Sequence, residues 1–406
     1  MGERAVTLIL AIAGDNRDEI RENVAAGTMV SAVVFGGIMR MMRIACVGGL
    51  ALLLAPMIGA QQTWGFTRFV RPVDAPVITP QKASVFTDPL TGRQVHWEAL
   101  HTFNPAAVVH DGKVVVLYRA EDDSGEMKIG GHTSRLGLAE SSDGIHFERM
   151  AAPVFYPDKD AQQANEDPGG VEDPRLVQAE DGTYVLTYTQ YARNADRYTV
   201  GVATSRDLQH WEKHGPIFAA IPAYKGLKYK SAGIVTKLAD GKIVAARIRG
   251  KYWMYWGEIQ IRLATSDDLI HWKPIESAAG MPRVLLAERN GLFDSGFPEV
   301  GPPPLLTKKG IVVLYNAKNA PSGGDPSLQA GTYSVGQALF AANDPAHLQE
   351  RTKQPVFKPE LPFERSGQYA AGTTFAEGLV YFKGSWFLYY GCADSFVGVA
   401  VADIVP

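Results

Sequence analysis

The eleven residues GVATSRDLQHW at 201–211 return as RLATSDDLIHW at 262–272, and this recurrence restricts the chain to folds assembled from like units. Looser copies are GLAESSDGIHF at 137–147, QALFAANDPAHL at 337–348 and a truncated GVAVADIV from Gly398. Each copy is small and apolar for a few residues, passes through Ser, Thr, Asn or Asp, and then meets an aromatic residue or Leu. That order predicts strand, tight turn, strand. The shared turn aspartates are Asp143, Asp207, Asp268, Asp344 and Asp403, a period of about 60–75 residues, longer than solenoid repeats and matched by a four-stranded propeller blade with long loops. Between the copies run KVVVLYRA from Lys113, TYVLTYTQ from Thr183, KIVAARI from Lys242, GIVVLYNA from Gly310 and SWFLYYG from Ser385, one central strand per repeat. The expected fold is all-β, a single-domain five-bladed β-propeller over 101–406, with 61–100 leading into it. The competing arrangement is a two-sheet sandwich built from similar hairpins.

Composition fits a large β domain. Long helix-periodic stretches are missing after the N-terminus, and 41 Gly with 25 Pro supply the turns that many short strands need. A net charge of −3 provides none of the basic field that nucleic acid requires.

The N-terminus is read separately. Arg40 and Arg43 precede an apolar run from Ile44 to Pro56, and Gly59-Ala60 stand before Gln61. A basic start, a short apolar core and a small-residue end describe a secretory signal peptide at 41–60, too short for a comfortable membrane span. The expectation is translation from Met41 or Met42, with 1–40 a gene-model extension, and a periplasmic or secreted protein with no membrane contact after cleavage. An uncleaved anchor is the alternative. Only Cys392 remains after cleavage, so no internal disulfide can form.

Chemistry in a propeller collects where inner strands converge, so polar residues inside apolar strand contexts are the candidates. GGVEDPRLV at 169–177 sets Glu172 and Asp173 before a Pro and Arg175, whose guanidinium can hold an acid or a sugar hydroxyl. Strand alternation predicts that only one of the two acids faces the channel. Arg119 ends the run VVVLYR, downstream of Asn104-Pro105. KYWMYWGE at 251–258 offers Tyr252 and three more aromatics as stacking faces, or as core, with Glu258 at its end. Glu299 precedes the stiff bend GPPP, and Asp394 lies between two strand-like segments. Carboxylates, arginines and aromatics spread over several repeats suit glycoside cleavage, which needs one acid to protonate the leaving oxygen and a second carboxylate to activate water or attack carbon. No metal or other cofactor is expected. His210 and His214 are four apart, but in strand context that spacing does not converge on an ion. No Walker loop, dinucleotide-binding glycine set or Gly-x-Ser-x-Gly elbow occurs either.

NPAAVV with VVLYRA, GGVEDPRL, VGPPPLLT, YSVGQALFAANDP with PVFKPE, and LYYGCADSFVGVA occur in an order that resembles glycoside hydrolase family 130, over roughly 100–405. The resemblance implies a five-bladed propeller acting on β-mannosides with inversion, by phosphorolysis in some members and hydrolysis in others. It implies that Asp173 is the general acid, reaching the glycosidic oxygen directly or through a sugar hydroxyl. Asn104, Arg119 and Asp394 occupy positions similar to those that hold the sugar at the cleavage site, and Lys230 in YKSAG resembles another.

Phosphorolysis needs several cations around the attacking anion. The family's phosphorylases carry a Lys before the GPPP bend and a His-Arg pair on an earlier strand. Here the bend reads FPEVGPPP, with Glu299, and the earlier region reads RIRGKYWMYWGE, with Arg247, Arg249 and Lys251 but also Glu258. Glutamates beside a phosphate repel it, so Glu258 and Glu299 resemble the pair that supplies the base in the hydrolytic members. The expected protein is an exported inverting β-mannosidase acting on an oligosaccharide, with a phosphorylase as runner-up. A non-catalytic sugar-binding propeller and a three-acid glycosidase acting on arabinan or fructan are the remaining alternatives. Linkage, chain length and oligomeric state are not encoded in any motif.

Overall fold

The central runs are apolar on both faces because both faces of each strand are covered. In Lys113–Glu121, Val115 and Leu117 pack toward the second repeat, whereas Val114, Val116 and Tyr118 pack toward the last. The computed structural model describes residues 63–405; the expected signal peptide and residues 1–40 lie outside the described residues. The described chain is almost wholly strand and loop, with one four-residue helix, Gln163–Glu166, and three single-turn 3₁₀ segments.

Five antiparallel meanders follow one another. The first is His101–His110, Lys113–Glu121, Ser134–Ser141 and Glu148–Arg149. The second is Gly170–Gln178, Tyr184–Ala192, Arg197–Ser205 and Glu212–Pro216. The third is Ala232–Ile234, Lys251–Trp256, Ile261–Ser266 and Trp272–Pro274. The fourth is Phe297–Val300, Ile311–Lys318, Tyr333–Ala341 and Asp344–Arg351. The fifth is Thr374–Phe382, Ser385–Cys392 and Phe396–Ala402. In the third unit the KIVAARI run is not the central strand as expected. Lys242–Ala245 forms a hairpin with Thr236–Ala239, and Lys251–Trp256 takes the central place.

The fifth meander lacks an outer strand of its own, and residues 65–78 supply the missing edge. Gly65–Phe66 pairs with Ile404–Val405, Val70 bridges Val401, and Ile78 bridges Val397. Asp403 therefore does not cap a turn as its counterparts do; its carbonyl and amide instead bind Thr67 of that edge. In the first three copies the turn works as expected. Asp143, Asp207 and Asp268 each accept two backbone N–H bonds and hold the Nδ1 of His146, His210 and His271 at 2.7 Å. Asp344 keeps a single cap, to the N–H of Ala346.

A deeper repeat emerges from the register. Tyr118 faces Gly137, Tyr188 faces Gly201, Tyr315 faces Gly336 and Tyr390 faces Gly398 across neighbouring strands. The ring lies over the glycine so closely that a Cβ on Gly137 or Gly336 would sit 2.4 Å from the tyrosine Cζ. Each phenol donates to a buried carboxylate, respectively Glu98, Glu166, Asp294 and Glu364. Each carboxylate is neutralised by a cation, Arg149, Lys213 and Arg351 coming from outer strands. In the fifth unit Arg71 of the N-terminal edge takes that role, 2.6 Å from Glu364. The third unit departs from the pattern: Tyr255 faces Leu263 and donates to the carbonyl of Pro345.

Five hydrophobic cores lie between meanders rather than within one. They join the first to the second, the second to the third, the third to the fourth, the fourth to the fifth, and the fifth to the first. The first strands of the fifth and first units consequently come together, Gly378 packing on Pro105 and Ala107, and Gly391 of the next strand packs on Asn104.

Candidate active site

First strands are where the repeat is broken, and β-bulges do the breaking. Register slips between Phe103 and Pro105, between Glu172 and Arg175, and between Ala376 and Gly378. Asn104 and Asp173 adopt left-handed backbone at φ 45° and 48°, a conformation that costs a non-glycine residue on the order of 1–3 kcal/mol and concentrates at functional sites. A proline follows each; lacking an N–H, it forfeits no ladder bond at the bulge. Ser231, just before the first strand of the third unit, and Asp394, in the turn between the last two strands of the fifth, are also left-handed, at φ 61° and 51°.

The bulges empty into a cleft of about 360 Å³. Asn104, Arg119, Asp173, Lys230, Glu258, Glu299 and Asp394 all line it, drawn from every one of the five repeats. Glu172 lines it too. The expectation that strand alternation would turn Glu172 or Asp173 away is corrected: the bulge removes the alternation, and both carboxyls face the cleft.

Arg119 organises one side. Its guanidinium donates to Glu121 at 2.7 Å, Glu172 at 2.8 Å, Asp173 at 3.1 Å and the hydroxyl of Ser134 at 3.0 Å. Asn104 adds a 2.8 Å bond from Nδ2 to the same Oδ1 of Asp173. Lys230 organises the other side, with Nζ 3.5 Å from Glu258, 3.6 Å from Glu299 and 3.9 Å from Asp173. Tyr198 donates to Glu258 at 2.9 Å and Ser231 to Glu299 at 2.5 Å. Phe103, Tyr191, Tyr333, Tyr369 and Phe375 provide the apolar walls, flat faces suited to a sugar ring.

These contacts split the acids by proton affinity. Burial alone would raise Asp173, but Arg119, Lys230, Arg175 and the Asn104 bond outweigh it and hold the group low. Burial pushes Glu172 up to about 7, with Arg119 opposing and Asp173 reinforcing. Asp394 is likewise pushed up to about 7 by burial and by the charges of Asp173 and Glu121, against Arg119. Glu299 is raised by burial and by Glu258, against Lys230. Lys230 stays charged because Glu299, Glu258 and Asp173 overcome its burial.

Two expected sugar contacts are corrected. Arg175 lies beneath the cleft, 1% exposed, and donates to the carbonyls of Asp173, Val300 and Gly301. It is a strut tying three first strands, since its Nη1 also pairs with Glu377 of the fifth unit at 2.9 Å. Tyr252 is a core residue between the second and third units, stacked under Arg247, because the alternation of Lys251–Trp256 turns it and Trp256 inward, away from the cleft. Trp253 and Tyr255 belong to the next core, so the aromatic density of KYWMYWGE builds packing. Arg247 and Lys251 hold Asp267 at a repeat turn and do not line the cleft.

Sequence reasoning missed Tyr191, Tyr198, Tyr333 and Tyr369; the first three reach the cleft from strand ends and Tyr369 from a loop, and only Tyr333 lies in a quoted motif, as the first residue of YSVGQALFAANDP. It also missed Glu377, 0% exposed, whose Oε1 lies 2.9 Å from Nη1 of Arg175. Burial drives its proton affinity above the usual carboxylate range, with Arg175 opposing.

A cleft that gathers carboxyls of divided proton affinity, two cations and aromatic walls onto bulged inner strands is the site of a glycoside-cleaving enzyme. Residues 79–405 match the profile of glycoside hydrolase family 130, described as β-1,4-mannooligosaccharide phosphorylase. The chain belongs to glycoside hydrolase family 130, whose members act on β-mannosides. It is 30% identical over 336 residues to a 1,2-β-oligomannan phosphorylase of Thermoanaerobacter sp. strain X514, covering 82% of this chain and 96% of that protein. A glycosyl hydrolase structure from Bacteroides ovatus is 51% identical, with a TM-score of 0.81 over 84% of this chain and 97% of that one. A second structure, also 51% identical with a TM-score of 0.81, covers 84% of this chain and 94% of its own. It is reported with the statement that the family contains glycoside hydrolases that target β-1,2 mannosidic linkages in Candida mannan.

Proposed function

We propose that the protein is an exported, inverting β-mannosidase of the β-1,2-mannoside type that uses water as nucleophile, on a five-bladed propeller whose blades are the five meanders. The cyclic order of the five cores and the N-terminal edge on the last unit support the closed ring. Export rests on the signal-like stretch at 41–60.

One observation carries the choice of water over phosphate. Of the cleft-lining cations, Arg119 is engaged by Glu121, Glu172 and Asp173, and Lys230 lies within 4 Å of Asp173 again and of Glu258 and Glu299. A phosphate entering there would meet two glutamates and no uncommitted cation among the described lining residues. The 51% identical structures named for hydrolysis support the same reading, against 30% for the phosphorylase.

The mechanism follows from the divided acids. Asp173 is aimed by its bulge and by Asn104 at the scissile oxygen; sugar hydroxyls entering between it and Lys230 weaken the cation's hold, and the proton comes through Glu172 or Asp394, which retain protons near neutrality. Opposite, Glu299 draws a proton from the attacking water, its basicity raised by burial, while Glu258, fixed by Tyr198, orients that water. Incubation with β-1,2-, β-1,3- and β-1,4-mannobiose, with and without phosphate, tests the reading. Mannose release in phosphate-free buffer is expected, and mannose 1-phosphate formed only with phosphate present would replace hydrolysis by phosphorolysis.

A further inference from the structure

We propose that His101, Glu121 and His132 form a binding site for one divalent transition-metal ion of the zinc type, beside Arg119, whose guanidinium holds both Glu121 and Asp173. No sequence spacing announces it; strand register assembles it. His101 and Glu121 are direct cross-strand partners in the first meander, which sets their side chains on one face. Glu121 in turn faces Ser134 on the third strand, and His132 stands two residues before Ser134. One donor atom from each of the three side chains falls within 4.8 Å of the others.

The donors are prepared as ligands usually are. The Nδ1 of His132 lies 2.8 Å from the carbonyl of Ser124, and a carbonyl only accepts, so Nδ1 carries the hydrogen and Nε2 keeps its lone pair. The Nδ1 of His101 lies 2.9 Å from the hydroxyl of Ser395, which can accept its hydrogen and so leave the Nε2 lone pair for an ion. Glu121 is fully buried and accepts one bond on each oxygen, from Arg119 at 2.7 Å and Gln368 at 3.1 Å. A carboxylate offers about four lone-pair positions, so each oxygen retains one. Two imidazoles and one carboxylate suit zinc-like ions, whereas calcium and magnesium take oxygen shells. Ligands about 2.1 Å from a tetrahedral ion stand roughly 3.4 Å apart, so the donor atoms close by up to roughly 1.4 Å on binding, with water in the fourth position. His101 is the partly exposed member and marks the entry.

The ion would act as a positioning element. By sharing Glu121 it would fix the carboxylate that braces Arg119, and through Arg119 the placement of Glu172 and Asp173. The chemical step needs no electron or proton from it.

The test uses the full-length protein stripped with chelator and titrated with Zn2+ by calorimetry and with Co2+ by visible absorption. One equivalent bound in the micromolar range or tighter, a four-coordinate Co2+ spectrum and a raised Tm are expected. His101→Ala should weaken binding at least tenfold with an unchanged Tm in chelator, and His96→Ala, at an exposed histidine outside the cluster, should not. His101→Cys should keep the ion and add a sulfur-to-cobalt absorption band, a signature that a merely structural histidine could not produce. Asp173→Asn should bind as wild type. Absence of stoichiometric binding, binding indifferent to both His101 variants, or binding lost in Asp173→Asn would each overturn the assignment.

Discussion

The ammonium of Lys230 lies 3.6 Å from Oε1 of Glu299, an oxygen that also accepts the Ser231 hydroxyl at 2.5 Å. One cation thus holds two glutamates and reaches the proposed acid as well, so the ionisation of the whole cleft depends on it. Lys230→Met should raise the proton affinity of Glu299 further, because the group that lowers it is gone. The acidic limb of the kcat/KM profile should then move to higher pH and turnover should fall on the order of 10²-fold or more. An unmoved acidic limb would separate Lys230 from the base.

Asp173→Asn and Glu299→Gln should each cut turnover by about 10²–10⁴-fold while leaving Tm within a few degrees, since a single proton donor or acceptor is removed without emptying space. NMR of the first-formed sugar should show α-mannose from a β-mannoside. A β product would exclude inversion.

The alkaline limb of activity should fall near neutrality. Glu172 and Asp394 are both held up to about 7, so they carry protons below that pH and lose them above it. Activity that depends on their proton is full below about 7 and declines as pH rises through it. Asp394→Asn, which cannot ionise, should change the shape of that limb, measured as kcat/KM against pH.

Arg71 is 9% exposed and neutralises Glu364, which is fully buried and shared with Tyr390. Arg71→Ala strands that carboxylate, a class of change that costs about 3–5 kcal/mol. Arg68→Ala, at a side chain 79% exposed with only a 3.6 Å contact to Glu360, should cost under about 1 kcal/mol. Denaturant melts of the two variants compare them directly. Equal stability would mean that the N-terminal edge does not seal the last meander.

Much of the scaffold was readable in advance because it is periodic. The three Asp-x-x-His turns repeat their chemistry within a few residues, and the apolar runs beside them have one reading as buried strands. The Tyr–Gly–carboxylate pattern stayed hidden for the opposite reason: Tyr118, Gly137, Glu98 and Arg149 are scattered in sequence and meet only through register. KYWMYWGE shows the limit from the other side. Its composition suits sugar stacking and core packing equally, and strand direction, which composition does not contain, sends Tyr252 inward and Glu258 to the cleft.

Local sequence therefore specified the repeat, its turns and the family to which the chain belongs, all of which depend on short-range pattern and on motif order. Folding alone settled which carboxyls share a cation, since Asp173, Glu258 and Glu299 come from three repeats and converge on Lys230 only when those repeats are assembled. It also made neighbours of Glu172 and Asp173 on one surface, because a bulge at φ 48° overrides the alternation that their adjacency would otherwise impose. Proton affinities in the cleft follow from those distances and from burial, which are properties of the assembled protein rather than of any segment.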